Sequence, residues 1–206
     1  AMSIYKHGYL TGDDLWAWQS DGTWQRLYPE DPEGDGNPPE MTAPAMAWDP
    51  VRERMVLFGG LHMSEAPFAS LSSALWEWDG TSWEYRGDGQ GLEGGAWPEP
   101  RNRHALAWHP ELETMVLFGG GVTDAEQEVT ILCDQTAVGA CEKVPTIQRR
   151  ADTTFGDTWA WDGQSWTKLE ADSAQPAARQ GHAMVTHKSR GTIVLYGGEG
   201  ALDEGL

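Results

Sequence analysis

The sequence has no long apolar run, few basic residues and almost no cysteine. No segment approaches the roughly 18 consecutive apolar residues that a membrane-spanning helix needs, so no membrane span is expected. The chain has 14 lysines and arginines against 32 aspartates and glutamates, a formal net charge of −18. Nucleic acids require a basic face for their phosphates, so we expect no nucleic-acid partner. The acidic excess favours solubility, with a cationic partner or calcium as the alternative.

Several functional signatures are also missing. The first residues have neither a basic stretch nor an apolar core, so they do not resemble a secretory signal. No nucleophile motif, phosphate-binding glycine loop or paired-histidine zinc signature is present, which favours a protein without catalytic activity. No segment has a convincing helical period, so helices are expected to be incidental.

The chain has only two cysteines, Cys133 and Cys141, eight positions apart in a polar stretch. In such a loop we expect a disulfide, which implies an oxidising compartment, extracellular or periplasmic. Two free thiols in a cytosolic protein are the alternative. The spacing does not fit a zinc knuckle, which needs pairs of close ligands, so no metal site is expected here.

Tryptophan, by contrast, is abundant and recurs in a fixed sequence motif. Nine of the 12 tryptophans form a Trp-x-Trp pair followed by a polar turn and a third tryptophan: Trp16, Trp18 and Trp24; Trp76, Trp78 and Trp83; Trp159, Trp161 and Trp166. A second motif, aliphatic-aromatic-Gly-Gly, also recurs along the chain. Its three copies end in the glycine pairs Gly59 and Gly60, Gly119 and Gly120, and Gly197 and Gly198. Sequence motifs that recur at long intervals indicate a repeat architecture.

Each repeat is predicted to form four short antiparallel strands. The first strand crosses a tight polar turn and returns as a second strand that ends in the diglycine. The same offset of ten residues recurs across this turn: Trp48 to Phe58, Trp108 to Phe118, Thr186 to Tyr196. A constant offset fixes the register of a hairpin. The third strand carries the Trp-x-Trp pair, with both side chains on one face, and the fourth begins at the last tryptophan.

This order of hairpin, diglycine, variable loop, aromatic strand, turn and tryptophan strand resembles the bacterial kelch-like repeat, of the type found in the galactose-oxidase central domain. The resemblance covers nearly the whole chain outside the loops, and it implies an all-β propeller built from four-stranded blades. An Arg-x-x-His at the start of the first strand also fits the family; it begins at Arg101 and at Arg179, whereas Met41 stands there in the earlier copy. The family includes a copper radical oxidase whose chemistry uses a tyrosine and a cysteine. This sequence has no counterpart of that pair, because both cysteines lie in one stretch with no tyrosine near.

The resemblance implies a single unit, residues 1–206, made of two complete blades and two halves. The complete blades are 42–86 and 101–170; the halves are 1–30, with third and fourth strands, and 179–198, with first and second strands. Three blades cannot close a ring, since propellers have four to eight, and open sheet edges invite association. We therefore expect a head-to-tail homodimer of six blades, with a fragment of a longer propeller as the alternative.

The most individual feature is the long loop of the second complete blade, residues 121–155. A rigid scaffold with one enlarged loop is typical of a recognition surface; a tolerated insertion is the alternative. The binding candidates are a loop tryptophan outside the repeats and the charged loop residues: Trp97, Asp124, Glu126, Glu128, Arg149 and Arg150. Trp97 either makes an exposed contact or covers a blade end. We expect a non-enzymatic binding or scaffolding module for a protein or, alternatively, a glycan. An enzyme with a site at the propeller axis is the further alternative.

Three further patterns have two interpretations each. Residues 31–37 place acids at alternate positions before a glycine, like the start of a calcium loop, but no glutamate stands at the twelfth position, so no cofactor is expected. The repeat tryptophans could stack on sugars, yet their identical recurrence favours packing between blades. His104 and His182 occupy equivalent positions, where a hydrogen bond to backbone is expected rather than a metal.

Overall fold

The computed structural model describes residues 13–65, 68–90, 96–122, 125–133, 141–149, 153–170 and 174–200. Over these residues the chain forms several antiparallel sheets and no α-helix. A single 3₁₀ turn, Lys188–Arg190, joins the last two strands. The prediction of an all-β protein is therefore confirmed. In the same part of the chain, no helix is long and apolar enough to cross a membrane.

The first element is a two-stranded leading hairpin of β1 (Leu15–Trp18) and β2 (Trp24–Leu27), which pair antiparallel. At the turn between them, Asp21 accepts hydrogen bonds from the amide (3.0 Å) and the hydroxyl (2.7 Å) of Thr23. An aspartate that bonds its own backbone two residues later stabilises a tight turn. The repeated Trp-x-Trp, Asp-Gly and third tryptophan thus encode one local unit.

The first sheet is an antiparallel meander in which each long strand pairs with the next. Its strands are β3 (Met41–Thr42), β4 (Ala45–Asp49), β5 (Arg54–Glu65), β6 (Phe68–Trp78) and β7 (Trp83–Gly87). Strands β5 and β6 continue to pair beyond the diglycine. The connection over residues 61–73, which follows the diglycine, is therefore mostly strand.

The second sheet repeats this meander and carries a long insertion between its second and third strands. Its strands and those of the insertion are β8 (Ala105–His109), β9 (Thr114–Phe118), β10 (Gly121–Val122), β11 (Ala125–Cys133), β12 (Cys141–Arg149), β13 (Thr153–Thr154), β14 (Thr158–Trp161) and β15 (Trp166–Leu169). The sheet itself consists of β8, β9, β14 and β15. A trailing hairpin of β16 (Gln180–His187) and β17 (Thr192–Glu199) follows.

The prediction of a loop over residues 121–155 is wrong for its described part. Strand β10 pairs with β13, and β11 pairs with β12 over nine residue pairs. We call β11 and β12 the ribbon. Valine, threonine and isoleucine recur along both ribbon strands, and β-branched residues favour a pleated strand. The acids and the cysteines of this stretch concealed that signal.

The sheets stack face to face in chain order, and β8 lies between β4 and β16. One face of the first sheet packs on the second sheet in a core of Ala45, Val56, Phe58, Leu75, Leu106, Trp108, Met115, Leu117, Trp159, Trp161 and Trp166. The opposite face of the first sheet, with Leu57, Trp76, Trp78 and Trp83, packs on Leu15 and Leu27 of the leading hairpin. Alternate residues of each strand thus serve two different neighbours.

The first glycine of the diglycine lies against the segment that leads into the next sheet. Gly59 has a φ of +65°, and a Cβ atom there would lie 2.6 Å from the carbonyl oxygen of Arg101. The amide of Gly60 donates a hydrogen bond of 2.9 Å to that same carbonyl. Glycine is needed here for its left-handed backbone and for the close approach of the next sheet.

We therefore expect Gly59→Ala to lower the free energy of unfolding by about 3 kcal/mol, because it adds overpacking to the cost of a left-handed backbone. Gly181→Ala is the matched control: its φ is +67°, but no atom lies within 4 Å of its Cβ position. The control should lose only about 1 kcal/mol. Urea unfolding followed by tryptophan fluorescence measures both, and equal losses would contradict the close-approach argument.

Candidate functional site

The ribbon brings together most of the binding candidates predicted in the long connection. Glu126 and Glu128 lie at alternate positions of β11 and so share one face, and Arg149 ends β12 opposite Ala125. Asp124 and Arg150 lie outside the described residues. The candidates therefore belong to one extended element of two strands.

The register divides the ribbon into two faces of different chemistry. One face contains the pairs Gln127 with Ile147, Val129 with Pro145 and Ile131 with Lys143. The other contains Glu126 with Gln148, Glu128 with Thr146, Thr130 with Val144 and Leu132 with Glu142. The first face is largely apolar and the second is acidic and polar. A two-stranded ribbon is marginally stable in water by itself, so contact with another surface would stabilise it.

The two cysteines form the last pair of the ribbon, with Cys133 directly opposite Cys141. Opposed residues of antiparallel strands have Cα atoms about 4.5–5.5 Å apart, and a disulfide spans roughly 4.4–6.8 Å between Cα atoms. The backbone is therefore compatible with the bond expected from the sequence. The bond itself stays a prediction.

Arg101 forms a buried clamp inside the second sheet, where it is 0% exposed. Its guanidinium makes a bidentate pair with Asp157, Nη1···Oδ1 2.6 Å and Nη2···Oδ2 2.9 Å. It also donates to the carbonyls of Glu99 and Gly119, both at 3.0 Å, and lies 4.1 Å from the ring centroid of Phe155. The arginine of the Arg-x-x-His motif thus ties together three segments of its own sheet.

Asp157 also orients the third strand, because it accepts a hydrogen bond of 2.7 Å from Nε1 of Trp159. Burial acts to raise the pKa of Asp157, but the bonds from Arg101 and Trp159 outweigh it and lower the pKa below its ordinary value. The charges are satisfied within the sheet, so the clamp is structural. Sequence reasoning missed Asp157; its signal is an aspartate two residues before the Trp-x-Trp pair.

His104 and His182 lie under successive diglycines, each edge-on to an aromatic ring. His104 is 5.4 Å from Phe58 and His182 is 5.5 Å from Phe118 between ring centroids. Complete burial, followed by the charge of Arg101, lowers the pKa of His104 to about 3, and the backbone of Phe58 offsets only part of this shift. The backbone hydrogen bonds predicted for both rings are not formed with normal geometry. Both histidines pack as neutral rings.

The calcium-like loop uses its acids for backbone hydrogen bonds. Asp31 accepts from the amide of Gly36 at 3.2 Å, and Asp35 accepts from the amide of Tyr85 at 2.7 Å. The first bond closes the loop on itself, and the second fastens it to β7. Within the described ranges, no three histidine, cysteine, aspartate or glutamate side chains are grouped so that they could hold a metal ion.

The first strands of three successive units line a groove of about 600 Å³. Its walls are mostly apolar and include Met46, Trp48, Leu106, Trp108, Met184 and Val185. The hydroxyl of Thr186, one of the few polar groups, already donates to the carbonyl of Trp108 at 2.7 Å. A reaction needs converging acid, base or nucleophilic groups, and the residues that line this groove do not provide such a set.

Trp97 covers the core of the second sheet. Its Nε1 donates to the carbonyl of Ser73 at 2.9 Å, and its ring lies 6.2 Å from Trp161 and 6.4 Å from Trp166. These contacts fit the cover over a sheet end. Trp97 is half-buried, and its role as a binding contact stays a prediction.

Matching repeat positions differ widely in exposure. In the Trp-x-Trp strands and the strands that follow them, the six tryptophans of the two complete sheets are at most 8% exposed, whereas Trp16, Trp18 and Trp24 of the leading hairpin are 46%, 59% and 63% exposed. In the trailing hairpin Tyr196 is 84% exposed, while its counterpart Phe58 is 0% exposed. Equivalent residues of the repeats are therefore buried in the complete sheets and exposed in the two hairpins.

A scan of the sequence against models of known protein families finds no match, and a search of curated proteins finds no significant relative. Function must therefore be inferred from the geometry of the chain itself. The described residues offer a two-faced ribbon, an apolar groove and two hairpins with open faces.

Proposed function

We propose that this chain is a kelch-like propeller segment that acts as a non-enzymatic binding or scaffolding module. The repeated joints between successive sheets support the propeller: the amides of Gly60 and Gly120 donate to the carbonyls of Arg101 and Arg179 respectively, both at 2.9 Å. Identical joints place each sheet in the same relation to the next, as blades around an axis require. We further propose that two copies complete a ring of six blades.

The observation that carries the binding function is the ribbon in the connection between second and third strands. It forms a two-stranded sheet of its own, separate from the four-stranded sheet, and its register combines a largely apolar face with an acidic one. Binding residues are commonly held on such extensions by a rigid scaffold. The chemistry fits a partner protein that presents an apolar patch bordered by basic residues, with the loops between blades adding further contacts.

A disulfide between Cys133 and Cys141 would lock the end of the ribbon at which β11 is followed by β12. Such a bond stabilises mainly by restricting the unfolded chain, which suits a ribbon that is marginally stable on its own. We therefore place the protein in an oxidising compartment, extracellular or periplasmic.

The test removes the ribbon and leaves the sheets intact. Val122 and Thr153 are directly opposite each other, so an Asn-Gly turn can replace residues 123–152 as a two-residue hairpin connection. Proteins that cross-link to the intact chain are identified, and their affinity is measured for both chains. We expect the shortened chain to keep its unfolding midpoint within a few degrees and to lose binding at least tenfold.

Glu126→Lys with Glu128→Lys in the full-length chain tests the acidic face, and Glu111→Lys with Glu113→Lys, in the exposed turn between β8 and β9, is the matched control. Only the ribbon variant should weaken binding. Undiminished binding by the shortened chain would contradict the proposal. A glycan array covers the carbohydrate alternative, which the exposed indoles of the leading hairpin favour; hits that depend on Trp18 would support a lectin instead.

A further inference from the structure

The parts of the arginine clamp occur together or not at all in the two complete sheets. The second sheet has Arg101 before its first strand and Asp157 two residues before its Trp-x-Trp pair. The first sheet has Met41 and Ala74 at these positions, and Nε1 of its Trp76 is buried without a hydrogen-bond partner. The arginine and the aspartate are therefore two halves of one device.

In the two hairpins the same device is split. Arg179 of the trailing hairpin donates to the carbonyls of Ala177 (3.0 Å) and Gly197 (3.1 Å), as Arg101 does in its own sheet, but it has no carboxylate partner among the described residues. Asp14 of the leading hairpin accepts a hydrogen bond of 2.5 Å from Nε1 of Trp16, as Asp157 does from its tryptophan. Among the described residues no arginine forms an ion pair with it, although the more distant charge of Arg26 helps to lower its pKa. Each hairpin holds the half that the other lacks.

The open edges of the hairpins match in the same way. Within the described residues, β17 pairs only with β16, and β1 pairs only with β2. In the second sheet the corresponding strands pair with Phe118 opposite Thr158 and Met115 opposite Trp161. The same register sets Tyr196 opposite Leu15, Leu195 opposite Trp16, Val194 opposite Ala17 and Ile193 opposite Trp18.

We infer that the two hairpins are halves of one four-stranded sheet, completed between two copies of this chain, in which Arg179 makes a bidentate ion pair with Asp14 of the partner subunit. This inference rests on the paired ring of the proposed function and specifies its joint. Within one copy the hairpins cannot meet, because the leading hairpin packs on the first sheet and the trailing hairpin on β8 of the second.

The joint also accounts for the open aromatic faces. In the complete sheets, Phe58 packs edge-on against Trp166 of the next sheet at 5.2 Å between ring centroids. By the same relation, Phe118 would pack against Trp24 of the partner subunit, and Tyr196 would be covered. Burying such aromatic side chains is strongly favourable. A second copy of this chain supplies a carboxylate at the position that Arg179 requires, whereas an unrelated protein would have no reason to place one there.

The first experiment measures mass by sedimentation equilibrium. The chain should have twice its mass of 22.7 kDa. Arg179→Asp and Asp14→Arg should each weaken self-association roughly 100-fold or more, because each places like charges at both joints of the pair. An equimolar mixture of the two variants should associate again, since one joint is then native and the other has its charges exchanged.

The controls carry the same charge changes at other exposed positions, Arg190 at the far end of the trailing hairpin and Asp13 before the leading hairpin. Arg190→Asp and Asp13→Arg should leave the mass and the far-ultraviolet spectrum unchanged. A monomeric chain would overturn the inference. So would a dimer that resists both reversals, or variants that remain monomeric when mixed although both are folded. Ribbon binding, measured as described above, can survive each of these outcomes, so the joint and the binding function fail separately.

A second experiment checks the register with an engineered cross-link in a Cys133→Ser, Cys141→Ser background. Ala17→Cys with Val194→Cys should form a covalent dimer under mild oxidation, because these positions face each other across the inferred joint and a disulfide spans such a pair. Ala17→Cys with Thr192→Cys, displaced by one step along the same face, should not. A dimer that cross-links equally in both variants, or in neither, would overturn the inferred pairing.

Discussion

Arg101→Ala is expected to lower the free energy of unfolding by about 3–5 kcal/mol, the cost of breaking a buried ion pair by removing one partner. The carboxylate of Asp157, whose side chain is only 17% exposed, would keep its charge without its cation. The carbonyls of Glu99 and Gly119 would lose their donor as well. Urea unfolding followed by tryptophan fluorescence measures the loss.

The first sheet supplies the control for this experiment, because it has Met41 and Ala74 where the second sheet has the ion pair. The double variant Arg101→Met/Asp157→Ala should therefore lose less stability than the sum of the two single losses. We expect a coupling free energy of about 2 kcal/mol in the double-mutant cycle. Strict additivity of the two single losses would show that the pair does not act as a unit. Arg103→Ala, at a half-exposed neighbour, should cost well under 1 kcal/mol.

Acidification is expected to destabilise the fold through His104 before the carboxylates titrate. Its pKa is about 3 in the folded protein and about 6.5 in an unfolded chain. Between these values the unfolded state binds a proton that the native state does not, so stability falls as the pH falls from 6.5 towards 3. The slope approaches 1.4 kcal/mol per pH unit, or about 5 kcal/mol in all. His182, whose pKa is also lowered by burial, acts in the same direction.

The measurement is the free energy of unfolding by urea at several pH values from 7 to 4.5, above the range in which the lowered pKa of Asp157 matters. His104→Gln should flatten the slope, whatever it does to stability at pH 7. His187→Gln replaces an exposed histidine and should leave the slope as it is. An unchanged slope in His104→Gln would show that the ring takes up a proton in the folded state.

The turns and strands could be read from the sequence because local contacts decide them. Asp79 accepts hydrogen bonds from the amides of Thr81 and Ser82, and Asp162 does so from Gln164 and Ser165. An aspartate that closes its own turn needs no distant partner. The repeated sequence motifs therefore predicted where each of these hairpins turns. The ribbon was missed because its strands begin and end among charged residues, which a search for alternating apolar residues passes over.

The sites depended on residues that are far apart in the chain. Arg101 and Asp157 are 56 positions apart, and Trp161 donates at 2.8 Å to Glu77, 84 positions away, which also binds Arg52 at 2.6 Å. No local pattern marks such pairs, since only the stacking of the sheets brings them together. The burial that shifts the pKa of His104 arises in the same way.

By itself, the sequence determined the strands of the repeats and their turns, because these follow from a few adjacent residues. Only the tertiary structure decided which tryptophans are buried, since Trp16 and Trp159 occupy the same position of the same motif yet are 46% and 7% exposed. Burial is a property of two surfaces in contact, and a strand encodes only one of them.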